Sequence, residues 1–86
     1  MQRVKLYTTD FCPFCVSAKR LLETDGIAFE EINLQNDQDL RMKLSQENNG
    51  WRTVPMIFIG DTFVGGFQEL SQLKNNGRLE ELLKTK

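Results

Sequence analysis

The sequence predicts an α/β fold, a mixed four-stranded sheet with helices on both faces. Three observations carry this. In the first 34 residues a strand-like alternation, a helical periodicity and a second alternation follow one another with short connections, the pattern of two parallel strands joined by a helix. The most continuously apolar run, Val54 to Ile59, leads into a Gly60-Asp61 turn signal and then Thr62-Phe63-Val64, the pattern of an antiparallel hairpin. Leucines at helical spacing return after Gly65-Gly66.

Each element has its own signals. Val4-Lys5-Leu6-Tyr7 alternates apolar and polar residues, so residues 3–8 read as a strand. Pro13 to about Thr24 reads as a helix, with Pro13 suited to a first helical position and Phe14, Ala18, Leu21 and Leu22 recurring at helical spacing. Asp25-Gly26 ends it, the glycine supplying the left-handed conformation that helix ends favour. Ile27 to Leu34 alternates again and reads as the second strand. Asp37 is placed to cap a mostly polar second helix reaching about Glu47, with Leu40 and Leu44 as its narrow apolar stripe, and Asn48-Asn49-Gly50 stops it. Val54 to Ile59 reads as a central strand and Thr62 to Val64 as its hairpin partner. Phe67 to about Lys74 and a short segment around Leu79, Leu82 and Leu83 are the last helices.

Length and composition narrow the functional classes. The 86 residues suit a single domain, 1–86, with one modest core. A composition of 40% hydrophobic and 27% charged residues is that of a folded soluble chain. The formal net charge of -1 gives no basic footprint for nucleic acid, so no such partner is expected. No apolar run is long enough for a membrane span, and the N-terminus enters a strand pattern at once, so a cytoplasmic chain, or one whose targeting segment has been removed, is expected; a monomer is expected as well.

The chemistry is concentrated in Thr9-Asp10-Phe11-Cys12-Pro13-Phe14-Cys15, which holds both cysteines of the chain. Residues i and i+3 share a helix face, so Cys12 and Cys15 can close a disulfide across one turn. Three uses of such a pair are open: a structural staple, metal ligands or a redox couple. A staple over so short a loop adds little chain-entropy stabilisation, and without histidine a closed zinc site would need carboxylates or a second subunit. Spacing and the β/α context favour the redox couple. The first strand ends just before Cys12 and the helix starts just after it, where unpaired backbone N–H groups and the positive end of the helix dipole favour a thiolate. Cys12, earlier and more exposed, is the attacking residue, and Cys15, a turn further in, the resolving one.

Cys12-Pro13-Phe14-Cys15 preceded by Tyr7-Thr8, then Thr53-Val54-Pro55 opening an apolar strand, then Gly65-Gly66, resembles a dithiol glutaredoxin from end to end. The resemblance implies the thioredoxin-like (glutaredoxin) fold. It also implies a glutathione-dependent thiol–disulfide oxidoreductase acting on protein–glutathione mixed disulfides and protein disulfides, with glutathione as co-substrate and no metal. Thr53-Val54-Pro55 resembles the loop whose cis-proline faces the cysteines and offers the Val54 backbone to an extended substrate; by itself a trans proline opening an edge strand fits as well. Gly66, Phe67 and Gln68 resemble the segment that receives the γ-glutamyl carboxylate at a helix start. Gln68 stands at a position the family usually makes acidic, with Glu69 next to it. Phe14, commonly tyrosine, is expected to cover the cysteines and pack on the substrate.

One departure from the family stands out. Thr9 occupies the place where relatives commonly carry a lysine, and Asp10 follows it, so Arg52 is the best remaining cation for the glycyl carboxylate. Lys19, further along the helix, reads as a solvated side chain or a long-range influence, and Phe29, Phe58 and Phe63 read as core; Trp51 is not assigned to the site. Two other functions are weighed. One is a redoxin reduced by a flavoprotein thioredoxin reductase, which the missing lysine favours and the Gly-Gly and Thr-Val-Pro segments oppose. The other is a glutathione-ligated iron–sulfur cluster carrier, disfavoured because Cys-Pro-Phe-Cys is not the Cys-Gly-Phe-Ser pattern of that branch.

Overall fold

A computed structural model describes residues 2–84. The elements follow in the order β1 (Val4–Thr8), α1 (Pro13–Thr24), β2 (Glu30–Asn33), α2 (Gln38–Glu47), β3 (Met56–Ile59), β4 (Thr62–Gly65), α3 (Phe67–Asn75) and α4 (Arg78–Lys84). The strands form one sheet in the spatial order β2-β1-β3-β4. β1 runs parallel to β2 and antiparallel to β3, and β3 and β4 form the antiparallel hairpin. The mixed four-stranded sheet therefore has the connectivity expected from the sequence, with β1 and β3 at its centre.

Side chains leave a strand on alternate faces, and this divides the interior in two. Val4 and Leu6 of β1 and Ile57 and Ile59 of β3 point to one face, where they pack with Ala18 and Leu22 of α1, Leu70 of α3 and Leu79 and Leu83 of α4. Met56 points to the other face with Leu34 and with Leu44 of α2, and Tyr7, Phe58 and Phe63 pack against them. Helices α1, α3 and α4 thus cover one face and α2 the other.

The helix ends are set by local chemistry. Gly26 (φ 69°) lies just past α1 and donates its N–H to Glu23, while the Ile27 N–H reaches back to Leu22, the paired bonds that close a helix through a left-handed glycine. This corrects the expected start of the second strand at Ile27. Ile27 is bound into the end of α1 and packs against its core, and pairing with β1 begins only at Lys5 and Glu30. At the start of α2, the Asp37 carboxylate accepts the Leu40 N–H at 3.1 Å, as its capping role requires.

Candidate active site

Cys12 is the residue on which α1 begins. Its backbone is extended (φ -114°, ψ 100°), and its Sγ accepts the Cys15 N–H at 3.1 Å, the bond a serine or aspartate oxygen makes at a helix start. Pro13 follows at a position where a missing N–H costs nothing. The first turn of α1 carries no acidic residue, so nothing on the helix opposes negative charge on the sulfur. Cys12 and Cys15 are joined as a disulfide with their Cα atoms 5.2 Å apart. Cys15 is 2% exposed, whereas Cys12 is partly open to solvent. In any exchange reaction the outer sulfur is the one a substrate meets first.

The loop entering this turn is tied to the end of β2. The Asp10 N–H donates to Gln35 Oε1 at 3.1 Å, Asn33 Nδ2 donates to Asp10 Oδ1 at 3.0 Å, and the Leu34 N–H donates to the Thr8 carbonyl at 2.7 Å. The Asp10 carboxylate is therefore engaged by an amide across the loop. Beneath it, the buried Thr8 hydroxyl donates to Glu31 Oε2 at 2.8 Å, and Lys19 Nζ lies 3.1 Å from the same oxygen. The Thr8 hydrogen bond, aided by Lys19 and opposed by partial burial, holds the Glu31 carboxyl below its ordinary pKa. Lys19, read from sequence as solvated, is thus paired across to β2.

Opposite the disulfide stands the loop before β3. The Val54–Pro55 peptide bond is cis, in keeping with the resemblance, and the Val54 carbonyl oxygen lies 3.7 Å from Cys12 Sγ. Beyond it opens a groove of about 320 Å³ lined by Phe14, Trp51, Thr53, Val54, Pro55 and the first turn of α3 with Gly66 before it. The fold brings seven of the expected binding residues together here: Phe14, Thr53, Val54, Pro55, Gly66, Phe67 and Gln68. Phe14, 58% exposed, lies nearly parallel to Phe67 with ring centroids 6.3 Å apart. The Gly66 N–H is taken by Glu69 Oε1 at 2.9 Å, which leaves the Phe67, Gln68 and Glu69 N–H groups as the donors at the start of α3. Gly65 (φ 118°) brings the chain into this turn so closely that an added Cβ would lie 3.0 Å from Glu69 Cγ.

Arg52 is exposed and lies outside that groove, beside a neighbouring depression shared with Gln38 and Arg41. The Arg41 guanidinium donates to the Arg52 carbonyl at 3.1 Å and so ties the loop to α2. Two wall residues have no place in the sequence-based assignment. Glu69 reaches the groove through its bond to Gly66. Trp51 packs edge-on against Phe63 with centroids 5.3 Å apart, and its buried indole N–H is the one such side-chain atom without a hydrogen-bond partner among the described residues. Its neighbourhood depends on how the loop folds back over β4, which adjacency to Arg52 does not reveal.

A disulfide pair at a helix start, a facing cis-proline and an apolar groove with free backbone donors form a centre for thiol–disulfide exchange. Comparison with known proteins agrees with this geometry. The family model described as Glutaredoxin matches residues 4–64. A glutaredoxin of Pseudomonas aeruginosa is 43% identical over 83 residues, covering 96% of this chain and 98% of that protein. The solution structure of glutaredoxin from Brucella melitensis superposes with a TM-score of 0.87 at 41% identity, covering 99% of this chain and 91% of the other. The crystal structure of a buckwheat glutaredoxin–glutathione complex superposes with a TM-score of 0.87 at 28% identity, covering 95% and 76%. The fold is the thioredoxin-like fold of these proteins, the dithiol makes the chain a thiol–disulfide oxidoreductase, and the chain belongs to the glutaredoxin family.

Proposed function

We propose that the chain reduces mixed disulfides between proteins and glutathione, and also protein disulfides, with glutathione as the electron donor. The observation that carries this reading is the groove beside Cys12. It joins a carbonyl able to pair with an extended cysteinyl backbone, at Val54, to a helix start with free N–H donors, at Phe67 and Gln68. A γ-glutamyl-cysteinyl-glycine fits that sequence of features: backbone pairing at its centre and a carboxylate at one end. Arg52 is assigned to the glycyl carboxylate as the exposed cation closest in sequence to Thr53. The buckwheat relative solved with glutathione supports the same ligand.

The cycle follows from the two sulfurs. The Cys12 thiolate attacks the glutathione sulfur of the mixed disulfide, and the protein thiolate leaves and takes up a proton. A second glutathione thiolate then attacks the glutathione sulfur held on Cys12, forming glutathione disulfide and restoring the Cys12 thiolate. The features that favour a thiolate at the start of α1 serve both steps, because they populate the nucleophile and later make it the better leaving group. With a protein disulfide, Cys12 forms the mixed disulfide and Cys15 displaces the substrate, closing the Cys12–Cys15 bond. Two glutathione molecules then reopen it. Such a cycle requires a compartment rich in reduced glutathione, which fits a monomer working in the cytoplasm.

The test is turnover of a small glutathione mixed disulfide with glutathione, glutathione reductase and NADPH, set against the same assay with thioredoxin reductase replacing the glutathione system. Sustained NADPH consumption in the first assay alone is expected. Turnover only with thioredoxin reductase would make the chain a flavoenzyme-coupled redoxin instead.

A further inference from the structure

Phe11 is fully exposed, and its backbone lies in the left-handed region at φ 56°. That region is uncommon and unfavourable for a bulky residue, and asparagine or glycine would occupy it with less strain. The ring covers no core, so packing of the side chain does not recover that penalty. Phe11 immediately precedes Cys12 and is absent from the walls of the groove. Among the described residues the exposed large apolar side chains are Phe11, Phe14, Val16 and Met42, and the first three stand next to a cysteine of the disulfide in the chain.

A mixed disulfide has two halves, and the groove accounts for only one. When the glutathione half lies along Val54 and the start of α3, the protein half must leave the reacting sulfurs in another direction. Exchange at sulfur runs in line, so the substrate cysteine departs beyond the glutathione sulfur, and the residue next to it stands on the order of 10 Å from Cys12, two to three residue lengths. Phe11, adjacent in the chain to Cys12 and projecting into solvent, is the apolar surface available there.

We propose that Phe11 is a specificity-determining residue for the protein half of the substrate, favouring disulfides whose reacting cysteine is flanked by apolar residues. This deepens the reading of the groove as the glutathione site and rests on it for the direction in which the protein half departs. The strained backbone, one residue before the nucleophile, holds the ring out in solvent, where a flanking leucine gains an apolar contact and a flanking serine does not.

The experiment uses two extended peptides identical except for leucine or serine on both sides of their single cysteine, each presented as a mixed disulfide with glutathione and with cysteamine. Reduced protein in excess is mixed with each, and the rate of peptide thiol release is read by quench and chromatography. The wild type is expected to release the leucine peptide about fivefold faster, the order given by covering part of one leucine side chain. Phe11→Leu is expected to retain most of that ratio. Phe11→Asn, which suits the left-handed backbone, is expected to bring it to about one while the melting temperature stays equal or rises. A wild-type ratio of one, or a Phe11→Asn protein that keeps the wild-type ratio, would overturn the proposal. Loss of the preference for glutathione over cysteamine would contradict the reading of the groove instead, and the leucine-to-serine ratio would still be readable on its own.

Discussion

Cys12 has two roles that rest on the same contact. Its sulfur accepts the Cys15 amide at the start of α1, which both caps the helix and stabilises charge on the nucleophile. Serine is a preferred residue at such a position, so Cys12→Ser should keep the helix start and lose exchange, whereas Cys12→Ala should lose both. Denaturant melts of the two variants under reducing conditions are expected to differ by about 0.5–2 kcal/mol in favour of serine. Equal stability would show that the contact caps nothing. A second prediction concerns Glu31, whose carboxyl is held below its ordinary pKa first by the Thr8 hydroxyl and then by Lys19. A carboxyl with a lower pKa folded than unfolded contributes stability above its unfolded pKa and loses it as pH falls through the folded one. The pair is partly exposed, so the effect is small. The stability difference between wild type and Glu31→Gln should shrink as pH falls below the ordinary carboxylate range, as melts at successive pH values would report; a difference independent of pH would remove the ion pair from the account. At this scale the cysteines and Val54-Pro55 were legible because their chemistry is carried by residue type and spacing. Trp51, the Thr8–Glu31–Lys19 contact and the exposure of Phe11 were not, because each depends on a backbone turn or on a neighbour distant in sequence.

The elements of this fold are delimited by a few residues whose preferences can be read one at a time. Asp37 caps α2, Gly26 closes α1, and Gly60-Asp61 turns the hairpin, each where its residue type suggests. There are two exceptions: β3 starts at Met56 and not at Val54, because Val54 and Pro55 lie in the loop facing Cys12 and proline has no N–H for the ladder; and in β2 the apolar alternation from Ile27 is shared between a helix end and a strand. The N–H of Ile27 is used by Leu22, and that bond decides the outcome. The turn from β4 into α3 carries a prediction of its own. Gly65 has φ 118°, and a Cβ there would press on the Glu69 side chain that holds the Gly66 N–H. Gly65→Ala should cost about 1–3 kcal/mol through backbone strain, and it should raise the KM for glutathione by loosening the start of α3. Chemical denaturation and steady-state kinetics on the one variant would check both, and a variant with unchanged stability and KM would contradict the close approach.

Over the whole molecule, the two sheet faces carry unequal loads. Among the described residues, the face under α1, α3 and α4 holds nine buried apolar side chains, and the face under α2 holds three, Leu34, Leu44 and Met56. The larger core anchors α1, and with it Cys15, so exchange geometry is built on the more strongly packed side. Leu22→Ala, a full truncation in that core, should cost about 2–5 kcal/mol, a large part of the ~5–15 kcal/mol of an ordinary domain. Leu44→Ala, in the smaller cluster and slightly exposed, belongs at the lower end of that range; equal losses at both sites in urea melts would contradict the asymmetry. On the proposed reading, this scaffold presents Cys12 as the nucleophile that takes up glutathione. The most direct test is intact-mass analysis of Cys15→Ser and Cys12→Ser after brief exposure of each reduced protein to glutathione disulfide. Rapid addition of one glutathionyl group to Cys15→Ser, with little addition to Cys12→Ser, is the predicted result. Equal labelling of both variants, or faster labelling of Cys12→Ser, would contradict it.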